Sequence, residues 1–240
     1  MPRVVRVIAP GVPHHITQRG NYGQTVFHRN EDRRFYLTLL TEFLPHYGIT
    51  LEAYCLMSNH VHLIVTPHDQ NGISRALQRI HSEYARSLHL RLRQTGHLWQ
   101  ARFHSVALDE EHFWAAMLYV ERNPVRAGLV EHPSQWPWSS APAHLGLAPS
   151  GIVSLVRWRS HFDATRWNNW LASHSPAAAL DERIRHATLS GFPLGNQHFR
   201  DDLRRQGIKT EPGKPGRPKK APQIQSVELP SFQNLASDEA

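Results

Sequence analysis

Two histidines interrupt a short apolar run, and their spacing is the first feature of the sequence that could support chemistry. The run LMSNHVHLIV occupies residues 56–65 and places His60 and His62 two positions apart. Residues i and i+2 of a strand point to the same face, so the two imidazoles project together. Such a pair on a rigid strand can bind one divalent metal ion. In a chain with 18 histidines the same pattern also arises by chance, and structural histidines are then the simpler interpretation.

A tyrosine on a later helical segment is the second candidate group. Tyr119 lies opposite the apolar side of that helix, beside alanines that leave room for a substrate. Asn123 follows one turn later, so its amide oxygen could be a third metal ligand. Pro124 disfavours helical geometry at Asn123, which must therefore lie at the helix end. A surface tyrosine on an amphipathic helix is the alternative interpretation. The apolar side consists of Phe113, Trp114, Met117 and Val120.

The elements around these residues follow a recognisable order. The polar and apolar patterns predict, in chain order, a strand at 12–20, a helix at 31–47, strands at 49–56 and 61–65, a helix at 72–93 and a strand at 103–108. Asp109 is a suitable N-cap for the helix that carries Tyr119. The order βαββαβ is typical of the ferredoxin-like α+β fold, an antiparallel sheet with two helices on one face. The helix that carries Tyr119 is then available to cover the other face of the sheet.

The chain divides into three predicted regions. Residues 1–145 form the main domain, and residues 146–210 form a small helical C-terminal extension that could bind DNA. Residues 181–205 fit either a helix-turn-helix or a plain helical hairpin packed on the main domain. Residues 211–240 are rich in Pro, Gly and Lys and are predicted to be a disordered basic tail.

The charge balance favours a polyanionic partner. Lys and Arg number 27 against 20 acidic residues, which gives a net charge of +7. No apolar run is long enough to span a membrane, and no signal peptide is evident, so we expect a cytoplasmic protein without a membrane partner. A single cysteine excludes an internal disulfide and a cysteine-rich metal site. Arginines on one side of the 72–93 helix indicate either a solvated face or a phosphate-contacting surface.

Three motifs together resemble one enzyme family. They are NHVHLIV at 59–65, HHITQRGN at 14–21 and YVERNPVRAGLV at 119–130. In this combination and order they resemble the single-tyrosine HUH transposases, which are related to the insertion-sequence-200-like transposases, and within them the REP-associated tyrosine transposase branch. The resemblance covers most of residues 4–145, and SGFPLGNQHF at 190–199 looks like the C-terminal extension of the same branch.

The resemblance implies a role for each candidate residue. His60 and His62 would hold a divalent ion, Mg²⁺ or Mn²⁺, and Tyr119 would be the nucleophile that forms a 5′-phosphotyrosine with single-stranded DNA. The family's third ligand is often Gln, so Asn123 is one methylene shorter. His112 could assist Tyr119, although a surface histidine is the alternative. No nucleotide cofactor is expected, because one phosphoester replaces another.

The implied partner is single-stranded DNA with REP-type hairpins, bound by a monomer or a homodimer. Tyr22 and Trp99 could stack on unpaired bases. The residues expected to contact the DNA backbone are Arg19, Arg75, Arg79, Arg86 and Arg126.

Three other functions fit part of the pattern. A hairpin-binding protein on the same fold that no longer cuts DNA would not need His60, His62 and Tyr119 to be intact. A nickase of the rolling-circle replication type shares the HUH chemistry. An RNA-binding ferredoxin-like module would carry aromatic residues at the strand positions that hold histidines here.

Overall fold

A four-stranded antiparallel sheet forms the centre of the computed structural model, which describes residues 7–172 and 177–211. The strand order is β2-β3-β1-β4, which confirms the ferredoxin-like α+β arrangement predicted from the element order. The predicted hairpin is also confirmed, because β2 and β3 pair directly and are separated by Met57, Ser58 and Asn59. The strands are β1 (His14–Arg19), β2 (Ile49–Leu56), β3 (His60–Pro67) and β4 (His104–Ala107).

Among the described residues, five α-helices belong to the main domain and four to the C-terminal part. The main domain contains α1 (Asn30–His46), α2 (Gly72–Leu92), α3 (Glu110–Glu121), α4 (Asn123–Arg126) and α5 (Ala141–His144). The C-terminal part contains α6 (Val156–Arg159), α7 (Ala164–Ala172), α8 (Ala177–Ser190) and α9 (Gln197–Arg205). In the described part of the chain, no helix combines the length and the apolarity that a membrane span requires.

Helices α1 and α2 cover one face of the sheet. Their apolar sides share a core with Val61, Leu63 and Val65, which are the odd-numbered residues of β3. The apolar stripe predicted for α2 is confirmed, since every member of it is buried. These residues are Ile73, Leu77, Ile80, Tyr84 and Leu88.

Helix α3 covers the opposite face, to which the even-numbered residues of β3 point. Asp109 caps its N-terminus as predicted, because one carboxylate oxygen accepts a hydrogen bond from the backbone N–H of His112 at 3.0 Å. The helix contacts β2 and β3 on one side and α7 and α8 on the other. It is therefore buried on two sides. Tyr119, which lies opposite the apolar side of the helix, is itself buried, so the interpretation of Tyr119 as a surface residue is wrong.

The C-terminal helices share a core with the sheet. Trp167 of α7 and Ile184 of α8 pack in one cluster with Ile64 and Val106, and Leu203 of α9 packs against Ala107. The connection between α8 and α9 is fastened to the edge of the sheet, because the backbone N–H of Leu194 donates to the carbonyl oxygen of Ala107 at 2.9 Å. Helix α8 contacts α3 and β4, and α9 packs at the edge of the sheet, so both helices pack on the main domain. The choice between a helix-turn-helix and a helical hairpin for residues 181–205 stays a prediction. The predicted tail from residue 212 onward lies outside the described residues.

A buried carboxylate ties α3 to the helices that follow it. Glu121 is fully buried, and its Oε1 accepts hydrogen bonds from Ser140 Oγ and His144 Nδ1, each at 2.5 Å. Its Oε2 accepts from Trp167 Nε1 at 2.9 Å. Three donors on one buried carboxylate satisfy a group that would otherwise be costly to remove from water. Glu121 therefore fixes the C-terminal turn of α3, which also carries Tyr119.

Candidate active site

The strand register brings polar side chains from β1 next to the two motif histidines. Arg19 pairs with His60, Thr17 pairs with His62, and His15 pairs with Ile64. Directly opposed residues of antiparallel strands point to the same face of the sheet. His15 and Arg19 therefore flank His60 and His62 on the face that α3 covers. The sequence prediction missed His15, although the alternation of HHITQR places it on the same face of its strand as Arg19.

The histidine rings form a compact cluster. The ring centroids of His60 and His62 lie 4.9 Å apart, so both imidazoles of the motif meet as predicted. His15 stacks on His62 with 5.2 Å between centroids, and its Nε2 lies 2.9 Å from Nδ1 of His62. Nδ1 of His60 donates a hydrogen bond to Oδ1 of Asn59 at 2.6 Å. A neutral His60 therefore keeps the lone pair of its Nε2 for another partner.

Tyr119 lies against this cluster. Its ring centroid is 5.5 Å from that of His62 and 5.6 Å from that of His15, with both contacts edge-on. Arg126 covers the ring, with Cζ 4.6 Å from the centroid, and its Nε lies 3.5 Å from Asp181 Oδ2. Tyr119 is only 5% exposed. The fold thus brings together the predicted nucleophile and a predicted metal ligand, and it places a cation beside them.

Asn123 begins a separate short helix rather than continuing α3. Helix α3 ends at Glu121, in agreement with the expectation that Asn123 lies at the helix end. Its Nδ2 donates to the carbonyl oxygen of Tyr119 at 2.9 Å, which leaves the side-chain oxygen as the group able to act as a ligand. The role of Asn123 as a third ligand remains a prediction.

Burial keeps the clustered imidazoles in their neutral form. Desolvation lowers the pKa of His60 to about 4, with a smaller effect from the charge of Arg19. Desolvation also lowers the pKa of His62 well below its usual value, and His60, His15 and Arg126 act in the same direction. Neutral imidazole is the form that binds metal ions, so the two motif histidines fit the ion that the resemblance implies.

The donor set around that ion is small. Within the ranges that the structure describes, no group of three or more His, Cys, Asp or Glu side chains is arranged to hold a metal ion. A metal would thus depend on two imidazoles, completed by an amide oxygen, water or phosphate oxygens. Mg²⁺ typically keeps several waters and binds substrate phosphates, and Mn²⁺ accepts oxygen ligands as well.

His112 is part of the cap of α3 rather than a free surface residue. Its Nδ1 lies 2.6 Å from Asp109 Oδ1, and its Nε2 lies 3.2 Å from Nη2 of Arg183. Both ring nitrogens are thus engaged. A role for His112 as an assistant to Tyr119 gains no support from this geometry.

Arg75, Arg79 and Arg86 of α2 and the histidine cluster lie on opposite faces of the sheet. Arg79 and Arg86 both pair with Glu83, at 3.0 and 2.9 Å, and Arg75 lies 3.6 Å from Asp69. Helix α2 packs on the face of the sheet opposite to His60 and His62. The fold therefore brings Arg19 and Arg126 to the candidate site and leaves Arg75, Arg79 and Arg86 on the other side. Their contact with DNA remains a prediction.

The two base-stacking candidates differ in exposure. Trp99 packs beside the core of α1 and α2, and its Nε1 donates to the carbonyl oxygen of His81 at 3.1 Å. Tyr22 is 96% exposed and has a φ of 50°, a left-handed conformation that is uncommon outside glycine. Its loop is joined to the histidine motif, because Asn59 Nδ2 donates to the carbonyl oxygen of Gly23 at 3.1 Å. Tyr22 is therefore the better candidate for stacking on an unpaired base.

Acidification is expected to destabilise the fold, because buried histidines are held neutral. Burial lowers the pKa of His14 to about 4 and that of His15 to about 3, against 6.5 for an exposed histidine. Below pH 6.5 the unfolded chain therefore binds protons that the folded chain does not, so the stability is complete above this pH and falls as the pH decreases. At pH 5 the loss is about 2 kcal/mol for each residue. Urea unfolding at pH 7 and pH 5 measures it.

A surface variant provides the control for this experiment. His28 is exposed, so His28→Asn should retain the full loss of unfolding free energy between pH 7 and pH 5. A free energy of unfolding that stays constant over this interval would contradict the assignment of neutral buried imidazoles.

The comparisons with known proteins agree with the motifs. Residues 10–123 match the family model of IS200-like transposases. A protein of Haemophilus influenzae, provisionally named a REP-associated tyrosine transposase, is 25% identical over 142 residues, which are 52% of this chain and 81% of the relative. A solved structure of a REP-associated tyrosine transposase bound to a REP hairpin has a TM-score of 0.53 and 19% identity, covering 64% of this chain and 92% of that one. The family resemblance is confirmed, and the solved structure supports the same fold.

Proposed function

Because residues 10–123 match the IS200-like transposase family, we propose that this chain is a metal-dependent transposase that cleaves and rejoins single-stranded DNA carrying REP-type hairpins. The observation that carries the proposal is the contact between Tyr119 and His62, one of the two motif histidines. The two groups come from different elements, and their rings lie 5.5 Å apart between Tyr119 and His62. A phenol beside His62, whose ring lies next to that of His60, fits a nucleophile beside a metal site.

The proposed reaction replaces one phosphoester by another. The Tyr119 oxygen loses its proton and attacks the phosphorus of a phosphodiester, and the bond to the 3′ oxygen breaks. The leaving oxygen takes up a proton, so the products are a 5′-phosphotyrosine and a free 3′-hydroxyl. When bound by His60 and His62, Mg²⁺ or Mn²⁺ supplies Lewis-acid polarisation of the non-bridging phosphate oxygens. Attack by a 3′-hydroxyl on the phosphotyrosine reverses the step and rejoins a strand.

Two arginines of the site supply fixed positive charge where the phosphate must lie. Arg126 covers the Tyr119 ring, and Arg19 is paired across the sheet with His60. Preorganised cations near a transferring phosphoryl group stabilise the charge that develops in the transition state. The α2 arginines lie on the far face of the sheet, where only the part of the DNA that extends around the domain could reach them.

Arginine substitutions are expected to separate binding from cleavage. Arg126→Ala should lower the cleavage rate at saturating DNA by about a hundredfold, because it removes a cation beside the nucleophile. Combined replacement of Arg75, Arg79 and Arg86 by Ala should leave that rate unchanged. It should instead weaken hairpin binding and reduce the slope of log affinity against log salt by about 3, since each phosphate contact contributes roughly 0.9. Gel-shift titrations at several salt concentrations and single-turnover cleavage measure both effects. Equal loss of rate in the two variants would contradict this division.

A direct test of the proposed function uses labelled single-stranded hairpins. Full-length protein is incubated with several hairpins, with and without Mg²⁺, and the products are separated under denaturing conditions. The expected result is a metal-dependent covalent adduct together with a released fragment that ends in a 3′-hydroxyl. A gel shift with every hairpin but no adduct would instead identify a binding protein that does not cut.

A further inference from the structure

A chain of hydrogen bonds connects α8 to the proposed metal ligand His62. We propose that Thr188 and His15 are positioning residues, which together place the ring proton of His62 on Nδ1 and so leave its Nε2 free to bind a divalent ion. The inference rests on the proposed metal-dependent function. The three residues come from α8, β1 and β3, so only the tertiary structure brings them into line.

The direction of the chain is set at Thr188. Its hydroxyl oxygen lies 2.7 Å from the carbonyl oxygen of Ile184. A carbonyl oxygen can only accept, so the single hydroxyl proton of Thr188 must lie between these two atoms. The lone pairs of the Thr188 oxygen then remain for a donor from another residue.

His15 supplies that donor. Its Nδ1 lies 2.7 Å from the hydroxyl oxygen of Thr188, whose own proton is already used. The Nδ1 of His15 must therefore carry a hydrogen. Thr188 and His15 are each 1% exposed, so water does not compete for these positions.

The tautomer of His15 determines which ring nitrogen of His62 carries hydrogen. The ring nitrogens of His15 contact a hydroxyl and a second imidazole, neither of which is acidic, so a charged ring at this buried position would be uncompensated. A neutral His15 with hydrogen on Nδ1 has a lone pair on Nε2. That lone pair lies 2.9 Å from Nδ1 of His62, which must then donate. The Nε2 of His62 is left as the free ligand atom.

The same tautomer of His60 is fixed by a direct hydrogen bond to the neighbouring residue Asn59. Its Nδ1 donates to Oδ1 of Asn59 at 2.6 Å, so its Nε2 is also unprotonated in the neutral ring. Both histidines of the motif thus present the same nitrogen. Partners that fix the tautomer of a ligating histidine typically change metal affinity by about 10- to 100-fold.

This arrangement gives α8 a part in the site. The family model matches residues 10–123, whereas Thr188 lies in the C-terminal helices beyond that range. The C-terminal extension would then support the metal site from outside the residues that match the family model, in addition to packing on the sheet.

The test compares substitutions that keep or remove the hydroxyl. Thr188→Val has nearly the same shape but no acceptor, and it should weaken Mn²⁺ binding to the full-length protein by about 10- to 100-fold, as measured by calorimetry. Thr188→Ser restores the hydroxyl and should bind Mn²⁺ as the unchanged protein does. Leu189→Ala on the same helix is the control, because Leu189 is 59% exposed. Equal Mn²⁺ affinity in Thr188→Val and the unchanged protein would overturn the inference.

A second measurement needs no substitution and no metal. Long-range proton–nitrogen NMR spectra of the metal-free protein at pH 7 report which nitrogen of each histidine carries hydrogen. We expect His15, His60 and His62 all to be protonated on Nδ1, and hydrogen on Nε2 of His62 would overturn the inference even if Thr188→Val failed to fold. A chain with the expected tautomers and Mn²⁺ affinity that forms no adduct with hairpin DNA would instead refute the proposed cleavage activity alone.

Discussion

Replacement of Tyr119 by Phe is expected to abolish the covalent protein–DNA adduct and to reduce cleavage by at least about 10⁴-fold, because the substitution removes only the nucleophilic oxygen. The contacts that hold Tyr119 are made through its ring, against His15 and His62 and beneath Arg126. A phenylalanine ring keeps these contacts, so the free energy of unfolding should change by no more than about 1 kcal/mol. Hairpin binding should also persist, since Arg19 and the α2 arginines are unchanged.

The adduct assay with a labelled hairpin measures this effect. Tyr22→Phe is the matched control: it removes a phenolic hydroxyl from a side chain that is 96% exposed, and it should leave the adduct intact. Survival of a metal-dependent adduct in Tyr119→Phe would show that another residue is the nucleophile. Loss of the adduct together with loss of hairpin binding and of cooperative unfolding would point to a structural role for the hydroxyl.

Replacement of Glu121 by Ala is expected to destabilise the protein by about 3 to 5 kcal/mol, which is a large part of the stability of a typical domain. The carboxylate accepts from Ser140, His144 and Trp167, and all of these groups lie in the interior. Without it, three buried donors lose their acceptor, and the Nε2 of His144 already has no hydrogen-bond partner in the described structure. The adduct should be lost at temperatures where the variant is unfolded.

Urea unfolding followed by circular dichroism measures the change in stability. Glu111→Ala on the same helix is the matched control, because Glu111 is exposed and its removal should cost less than about 0.5 kcal/mol. Trp167→Phe removes one of the three donors and should have an intermediate effect. A loss below about 1 kcal/mol in Glu121→Ala would mean that the surrounding helices are held by apolar packing alone.

Local patterns were sufficient for most of the elements and for the polarity of their faces. The period-two alternation in β1 and β3 and the apolar stripe of α2 depend only on residues close together in the chain, and the structure confirms both. The same-face placement of His60 and His62 follows from strand geometry, and their rings do meet. The cap at Asp109 is equally local, since donor and acceptor lie three residues apart.

Patterns in the sequence misjudged how deeply α3 is buried. A helical wheel separates one side of a helix from the other, but it carries no information on what packs against each side. Tyr119 lies opposite the apolar side and is nevertheless buried, because α7 and α8 come from a distant part of the chain and close over α3. The arginines of α2 illustrate the same limit, since their distance from the histidines depends on which face of the sheet each helix covers.

The sequence by itself therefore predicted the strands and helices, the candidate residues His60, His62 and Tyr119, and, through three motifs, the resemblance to the IS200-like transposases. Only the tertiary structure brought His15 to His62 and Thr188 to His15, because the register of β1 on β3 and the docking of α8 join residues that are far apart along the chain. Long-range contacts depend on the packing of whole elements, and no single segment encodes that packing. The candidate nucleophile and ligands could be located from local patterns, whereas the residues that surround them depend on how whole elements pack.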